Sequence, residues 1–232
     1  MDWQAEITAA ADRIAPHIRR TPVIDLDLPD GTRVALKLEQ MQHTGSFKAR
    51  GAFNTLLSLP VPAAGVVAAS GGNHGAAVAY AARSLGHRAK IFVPDYAGPA
   101  KIGLIRQQGA DLEVVPGAYA DAAALAADHA RITGAMQIHA YDAPATVAGQ
   151  GTLMREWEDQ GLQADTVLIA VGGGGLIAGA LAWLQGRRQI VAVEPVLAPT
   201  LHRALIDGPD AVVQVSGIAA NALGSSKIGR IA

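Results

Sequence analysis

Three short stretches of this chain carry side chains and spacings that could do chemistry. The first is His43-Thr44-Gly45-Ser46-Phe47-Lys48-Ala49-Arg50-Gly51. It places Lys48 directly after a turn made by Thr44, Gly45 and Ser46, where a helical pattern opens. Unpaired N–H groups and the positive end of a helix dipole disfavour a second positive charge there. A free lysine titrates near pH ~10.4, and burial would push it further towards the neutral amine. A neutral amine can attack a carbonyl. Taken alone, Lys48 is more simply read as a solvated surface charge, the usual state of a lysine.

The second stretch is Ser70-Gly71-Gly72-Asn73-His74-Gly75. Its amide can bond an oxygen substituent, and N–H groups at a helix start can take a carboxylate. The simpler reading is that Asn73 caps the following helix. His74 has no second histidine or acid at ligand spacing, and His43, His129 and His202 form no constellation. The third stretch is Gly172-Gly173-Gly174-Gly175, a turn open to close ligand approach and suited to a phosphate at a helix N-terminus. Two other readings stand beside it. It could be a tightly packed strand–helix turn. Gly173-x-Gly175-x-x-Ala178, with Glu194 about 20 residues on, also matches a relaxed dinucleotide fingerprint.

The elements that must position these stretches alternate regularly. Strands are predicted over 34–38, 65–69, 89–93, 112–115, 137–140, 166–171 and 189–193. Helices are predicted over 5–14, 49–59, 76–85, 99–108, 119–133, 144–160, 176–185 and 199–206. Gly149 and Gly151 weaken the middle of the helix over 144–160. Strand–helix alternation with solidly apolar strands predicts an α/β fold, parallel-rich sheets with helices on both faces. Ligands in such folds bind at strand carboxyl ends, and all three stretches follow a strand and open a helix.

Bulk properties narrow the function classes. Net charge is −1 over 232 residues, with 4% aromatics, so no basic face suits a nucleic acid. With no cysteine, disulfides, thiolate metal sites and cysteine nucleophiles are excluded. The acidic start at Met1-Asp2-Trp3 is no signal peptide. The charge-free run from Val167 to Leu184 is long enough to raise a membrane span, but its glycines favour strand–turn–helix. A cytoplasmic protein without a membrane partner is expected.

The three stretches in this order, Thr44 to Ala52, Ser70 to Gly75 and Gly172 to Leu176, resemble the fold-type II pyridoxal-phosphate enzymes. Within these they resemble the serine/threonine dehydratase and serine racemase branch. Gly149-Gln150-Gly151-Thr152 and Val193-Glu194-Pro195 add to the resemblance, which runs from about Ile14 to the last residue. It implies a tryptophan synthase β-subunit-like fold. Lys48 would be the Schiff-base lysine and the base at Cα. Phe47 would lie near the ring face of pyridoxal 5'-phosphate, and Asn73 would bond its phenolic oxygen. Gly172, Gly173, Gly174 and Gly175, with the Leu176 N–H, would cradle the phosphate. Ser70, Gly71, Gly72, Asn73 and His74 would clamp the substrate carboxylate. The implied reaction takes L-threonine or L-serine, loses the β-hydroxyl with help from the cofactor phosphate, and yields a 2-oxo acid and ammonia. His74 favours this branch over cysteine-synthase relatives.

Three departures shape the expectations. Racemases of the group carry a serine where this chain has Gly71, so elimination is expected over racemisation. A racemase or another eliminase of the family is the alternative, and an inactive remnant a further one. The family's metal site would need an acid where this chain has Thr200. No metal is therefore expected, with Glu194 and Ala198 the remaining weak candidates. Family members also continue through further strand–helix units, including the partner of the pyridine nitrogen. A C-terminally incomplete larger domain is thus expected, with an apolar edge prone to association. That domain is predicted over 1–59 and 141–232, the smaller one over 60–140, and the assembly as a homodimer.

Overall fold

The computed structural model describes residues 1–117 and 119–232, apart from the side chains of Tyr96 and Asn221. Its central sheet is parallel, in the order β5-β4-β3-β6, from Asp111–Val115, Ala89–Pro94, Val66–Ala69 and Met136–Gln137. All four residues of β3 are buried, which explains its unbroken apolar run. Alternate side chains serve opposite faces. Val66 and Ala68 pack with the alanines of α3 (Asn73–Ser84), while Val67 and Ala69 pack with Ala122 and Ala126 of α5 (Tyr119–Thr133). Alanine on α3 lets that helix lie close to the sheet.

A second parallel pair joins β7 (Thr166–Ala170) to β8 (Gln189–Val193), in register from Thr166 opposite Gln189 to Ala170 opposite Val193. Val167, Ile169 and Val171 face α7 (Gly175–Leu184), burying against Ile177, Ala180 and Leu184. The opposite face bears Leu168, 68% exposed. The charge-free run is therefore a strand, a turn and a short helix, and no helix of the described residues is long and apolar enough to cross a membrane.

Between these sheets lies a helical layer. The layer comprises α1 (Trp3–Ile14), α2 (Lys48–Ser58) and α6 (Pro144–Asp159). The glycines that weaken α6 in isolation are where its neighbours cross it. A Cβ on Gly149 would come within 2.7 Å of the Gly51 Cα on α2, and one on Gly179 of α7 within 2.5 Å of the Gly151 nitrogen. Backbone thus packs on backbone on both sides of α6.

The structure departs from the sequence reading in four places. The predicted strand 34–38 is β2 (Arg33–Lys37), and it pairs antiparallel with β1 (Val23–Asp27). This hairpin was hidden because Asp25 and Asp27 interrupt the apolar signal of β1. Strand 137–140 shortens to β6, Met136–Gln137, with the Ile138 N–H still donating to the Val67 carbonyl at 2.9 Å. The α3 helix starts at Asn73, not at 76. Short helices α4 (Pro99–Gln107) and α8 (Thr200–Asp207) are followed by an unanticipated α9 (Ala220–Leu223).

Candidate active site

Lys48 is the first residue of α2, delivered by two consecutive left-handed residues, Thr44 at φ 61° and Gly45 at φ 77°. A non-glycine residue in that region is held against local strain of roughly 1–2 kcal/mol. The Lys48 amine donates to the Ala140 carbonyl at 2.7 Å and lies 5.2 Å from the centre of the Phe47 ring. Burial pulls its pKa down to about 8, and no carboxylate opposes the shift. The helix start contributes the location, but loss of hydration is what lowers the pKa.

Ser70 to His74 run from the end of β3 into α3. Gly72 is the N-cap residue, and its N–H is bonded to the Ser70 hydroxyl at 3.2 Å. Asn73 is therefore not the cap; it is exposed, and its amide bonds no described residue. The His74 Nε2–H donates to the Ile138 carbonyl at 3.0 Å. Burial, with the nearby Lys48 charge, pushes this imidazole down to about 3, so it stays neutral. Gly71 faces Ala97: a Cβ added there would stand 2.5 Å from the Ala97 Cβ.

The tetraglycine turn connects β7 to α7. Gly174 adopts φ 92° and ψ −11°, a left-handed conformation suited to glycine. A Cβ on Gly173 would overlap the Tyr141 ring, and one on Gly175 would lie 2.8 Å from the Tyr141 Cα. The tight-packing reading of these glycines is thus correct on one side of the turn. On its other side, the N–H groups of Gly173, Gly174, Gly175 and Leu176 donate to no described residue. These are the orphan donors of a helix start.

The three stretches line one cleft of about 400 Å³, within the range of small-molecule sites. Phe47, Lys48, Asn73, His74, Leu176 and the four glycines all border it. Sequence reasoning missed Tyr141, Ala140, Lys101, Tyr119 and Ser225, which also line it. Tyr141 and Ser225 had no motif to mark them, because their neighbours in the cleft come from distant parts of the chain. Glu194 lies elsewhere. Its carboxylate accepts the N–H groups of Leu201 at 2.6 Å and His202 at 2.8 Å at the start of α8. That engagement removes the acid on which the dinucleotide reading relied. Ala198 is buried, and the Thr200 hydroxyl donates to the Ser225 carbonyl at 2.6 Å. Among the described residues, no group of three or more metal-ligating side chains occurs.

The residues present fit the cofactor that the sequence resemblance implies. A partly deprotonated amine, an unbonded amide and a row of orphan N–H groups border one space. They match an aldehyde, a ring oxygen and a phosphate.

Comparison with known proteins points to the same cofactor. Residues 14–232 match the family described as "Pyridoxal-phosphate dependent enzyme". A phenylserine dehydratase of Ralstonia pickettii is 38% identical over 207 residues, covering 84% of this chain and 62% of that protein. A biosynthetic L-threonine dehydratase of Mycobacterium leprae is 39% identical over 240 residues, covering 95% of this chain and 56% of that protein. The structure of maize serine racemase superposes with a TM-score of 0.89 at 31% identity, over 98% of this chain and 71% of that one. The chain therefore spans 56–62% of the length of these two dehydratases. With a family match that spans residues 14–232, which is 219 of its 232 residues, and a fold shared with maize serine racemase, the chain belongs to the pyridoxal-phosphate-dependent enzyme family.

Proposed function

We propose that this chain carries the site of a lyase that dehydrates and deaminates L-threonine or L-serine, giving a 2-oxo acid and ammonia. The observation that carries the reading is the convergence, in one cleft, of the Lys48 amine with the orphan N–H groups of Gly173 to Leu176. The names of the two dehydratase relatives support the reaction type.

The residues divide the work as follows. The N–H groups of Gly173, Gly174, Gly175 and Leu176, with Gly172, hold a phosphate at the α7 N-terminus. The Asn73 amide bonds the ring oxygen, and Phe47 borders the ring. The start of α3, from Ser70 through Gly71, Gly72, Asn73 and His74, receives the substrate carboxylate. The bound cofactor supplies an electron sink for charge developing at Cα. Lys48 moves the Cα proton. Its pKa of about 8 leaves a useful neutral fraction near neutral pH, which suits a general base.

A racemase of the same family is the second reading, supported by the likeness to maize serine racemase. Against it stands Gly71, where Ala97 leaves no room for a side chain unless it shifts. We further infer two domains, 60–140 around the four-stranded sheet and 1–59 with 141–232 around β7 and β8. The separate sheets support this division. The expected setting is a cytoplasmic homodimer acting on a small hydroxy amino acid, without nucleic-acid or membrane partners and without a structural metal at Glu194 and Ala198.

The test combines the purified chain, added pyridoxal 5'-phosphate, and threonine or serine. Binding gives a visible absorbance band that Lys48→Ala removes, and 2-oxo acid accumulates in the wild type. No band in either protein sinks the reading. A band without 2-oxo acid from either substrate favours the inactive remnant, and substrate epimerisation instead favours the racemase.

A further inference from the structure

The segment between β6 and α6 does more than connect them. Its Ala140 carbonyl takes the Lys48 amine. The next residue, Tyr141, puts its ring under Gly173 and its Cα under Gly175. The Tyr141 hydroxyl donates to the Lys227 carbonyl at 3.3 Å and lies 3.1 Å from the Ser225 Oγ. One residue on, the Asp142 carboxylate accepts the Ile231 N–H at 3.1 Å. The 225–231 segment then closes on the turn from the other side, the Gly229 N–H donating to the Gly173 carbonyl at 3.0 Å. The tetraglycine turn is held between these two segments, and Tyr141 touches both.

We propose that Tyr141 is a positioning residue for the phosphate-binding turn, holding the N–H groups of Gly173 to Leu176 in one orientation through its ring and its hydroxyl. This rests on the lyase-site reading above. Four adjacent glycines have wide conformational freedom, so the turn needs an outside constraint if its donors are to be preorganised for an anion. The ring supplies a fixed floor, and the hydroxyl ties that floor to the segment bonding Gly173 from the other side. The hydroxyl's proton is engaged by the Lys227 carbonyl, so its part is to tie the ring in place and not to donate to the anion.

The test uses two probes, pyridoxal 5'-phosphate and pyridoxal, which lacks the phosphate, titrated into wild type, Tyr141→Phe, Tyr141→Leu and Lys48→Ala. Tyr141→Phe removes the hydroxyl and keeps the ring. It should weaken pyridoxal 5'-phosphate binding about 3- to 10-fold, the range expected for one hydrogen bond, and leave pyridoxal binding unchanged. Tyr141→Leu also removes the ring and should weaken phosphate-dependent binding further. Should Tyr141→Leu fail to fold, Ser225→Ala removes one of the hydroxyl's two partners and should move the same ratio in the direction of Tyr141→Phe, by less. A parallel loss of both probes in Tyr141→Phe means that the residue only supports the fold, and overturns the proposal. So does an unchanged ratio. Failure of the parent reading has its own signature, wild type and Lys48→Ala alike giving no cofactor band, and the proposal then falls with it.

Discussion

Lys37 and Lys48 are both withdrawn from water, and in both burial lowers the amine pKa. Their surroundings differ. Lys37 donates to the Glu156 carboxylate, the Thr21 carbonyl at 2.8 Å and the Gln160 side chain at 2.7 Å. Arg50 sits in the same cluster, fully buried, bonding Glu39 twice and Glu156 at 3.0 Å. Burial works against the charge on Glu156, but Arg50 and Lys37 hold its carboxyl below the ordinary range. Lys48 has a backbone carbonyl and an aromatic ring, with no acid. One cluster pairs its charges and welds α2, β2 and α6 together; the other leaves an amine unmatched beside open space. The contrast teaches that burial alone does not mark a reactive lysine. Burial without an anion does.

The comparison can be broken most sharply at Lys48 itself. Lys48→Ala should lower 2-oxo acid formation by about 10³-fold or more, given the usual weight of a general base and nucleophile. Its stability in urea unfolding should fall by no more than the loss of the Ala140 hydrogen bond, about 0.5–1.5 kcal/mol, because the variant also removes a buried charge. A large loss of stability would show that Lys48 is structural, like Lys37. At the paired cluster the expectation reverses. Glu156→Ala leaves Lys37 and Arg50 short of a counter-charge, and should destabilise by about 3–5 kcal/mol in urea unfolding. Unchanged stability would refute the welding role.

A smaller effect sharpens the turn. Gly173→Ala forces a Cβ against Tyr141 and should cost about 1–3 kcal/mol of stability, with weaker cofactor binding by fluorescence titration. A separate effect is a pH slope. The folded pKa of Lys48, about 8, lies below the ordinary lysine value of 10.5. The unfolded chain therefore binds more protons between these values, and stability due to this group rises with pH across that window. Below the lower value its penalty is fully present. The stability difference between Lys48→Met and wild type should therefore shrink from pH 8 to 10, and a flat difference would contradict the depressed pKa. Across the same window, the wild type should take up pyridoxal 5'-phosphate faster as the neutral amine fraction grows.

Much of this organisation was legible in the sequence because it is local. A turn followed by a helical pattern over 49–59 put Lys48 at or next to a helix start, where it is the first residue of α2, and unbroken apolar runs announced β3 and β7. The start of α3 was placed too late because Asn73 and His74 have weak helix propensity and packing at the cleft overrides it. Distant pairings were illegible. The β1–β2 hairpin depends on a register that alternating acids conceal, and the Arg50 cluster joins Glu39, 11 residues away, to the remote Glu156. Tyr141 carries no signature either, since its role depends on what lies above its ring. The glycines are open in sequence to both ligand access and tight packing, and what packs on Gly173 and Gly175, Tyr141, is not visible there.

The glycine crossings of α6 have a mechanical consequence. Side chains between helices act as springs, because rotamers can adjust when a neighbour shifts. At Gly149 against Gly51, and Gly151 against Gly179, there are no such springs. The helix that starts with Lys48 and the helix that starts at the glycine turn are both seated on α6 by main chain. The gap between the amine and the anion donors is thereby gauged by backbone thickness, which a change of rotamer cannot alter. Such a gauge should hold its setting across temperature, and substitutions on the exposed surfaces of these helices should leave it undisturbed.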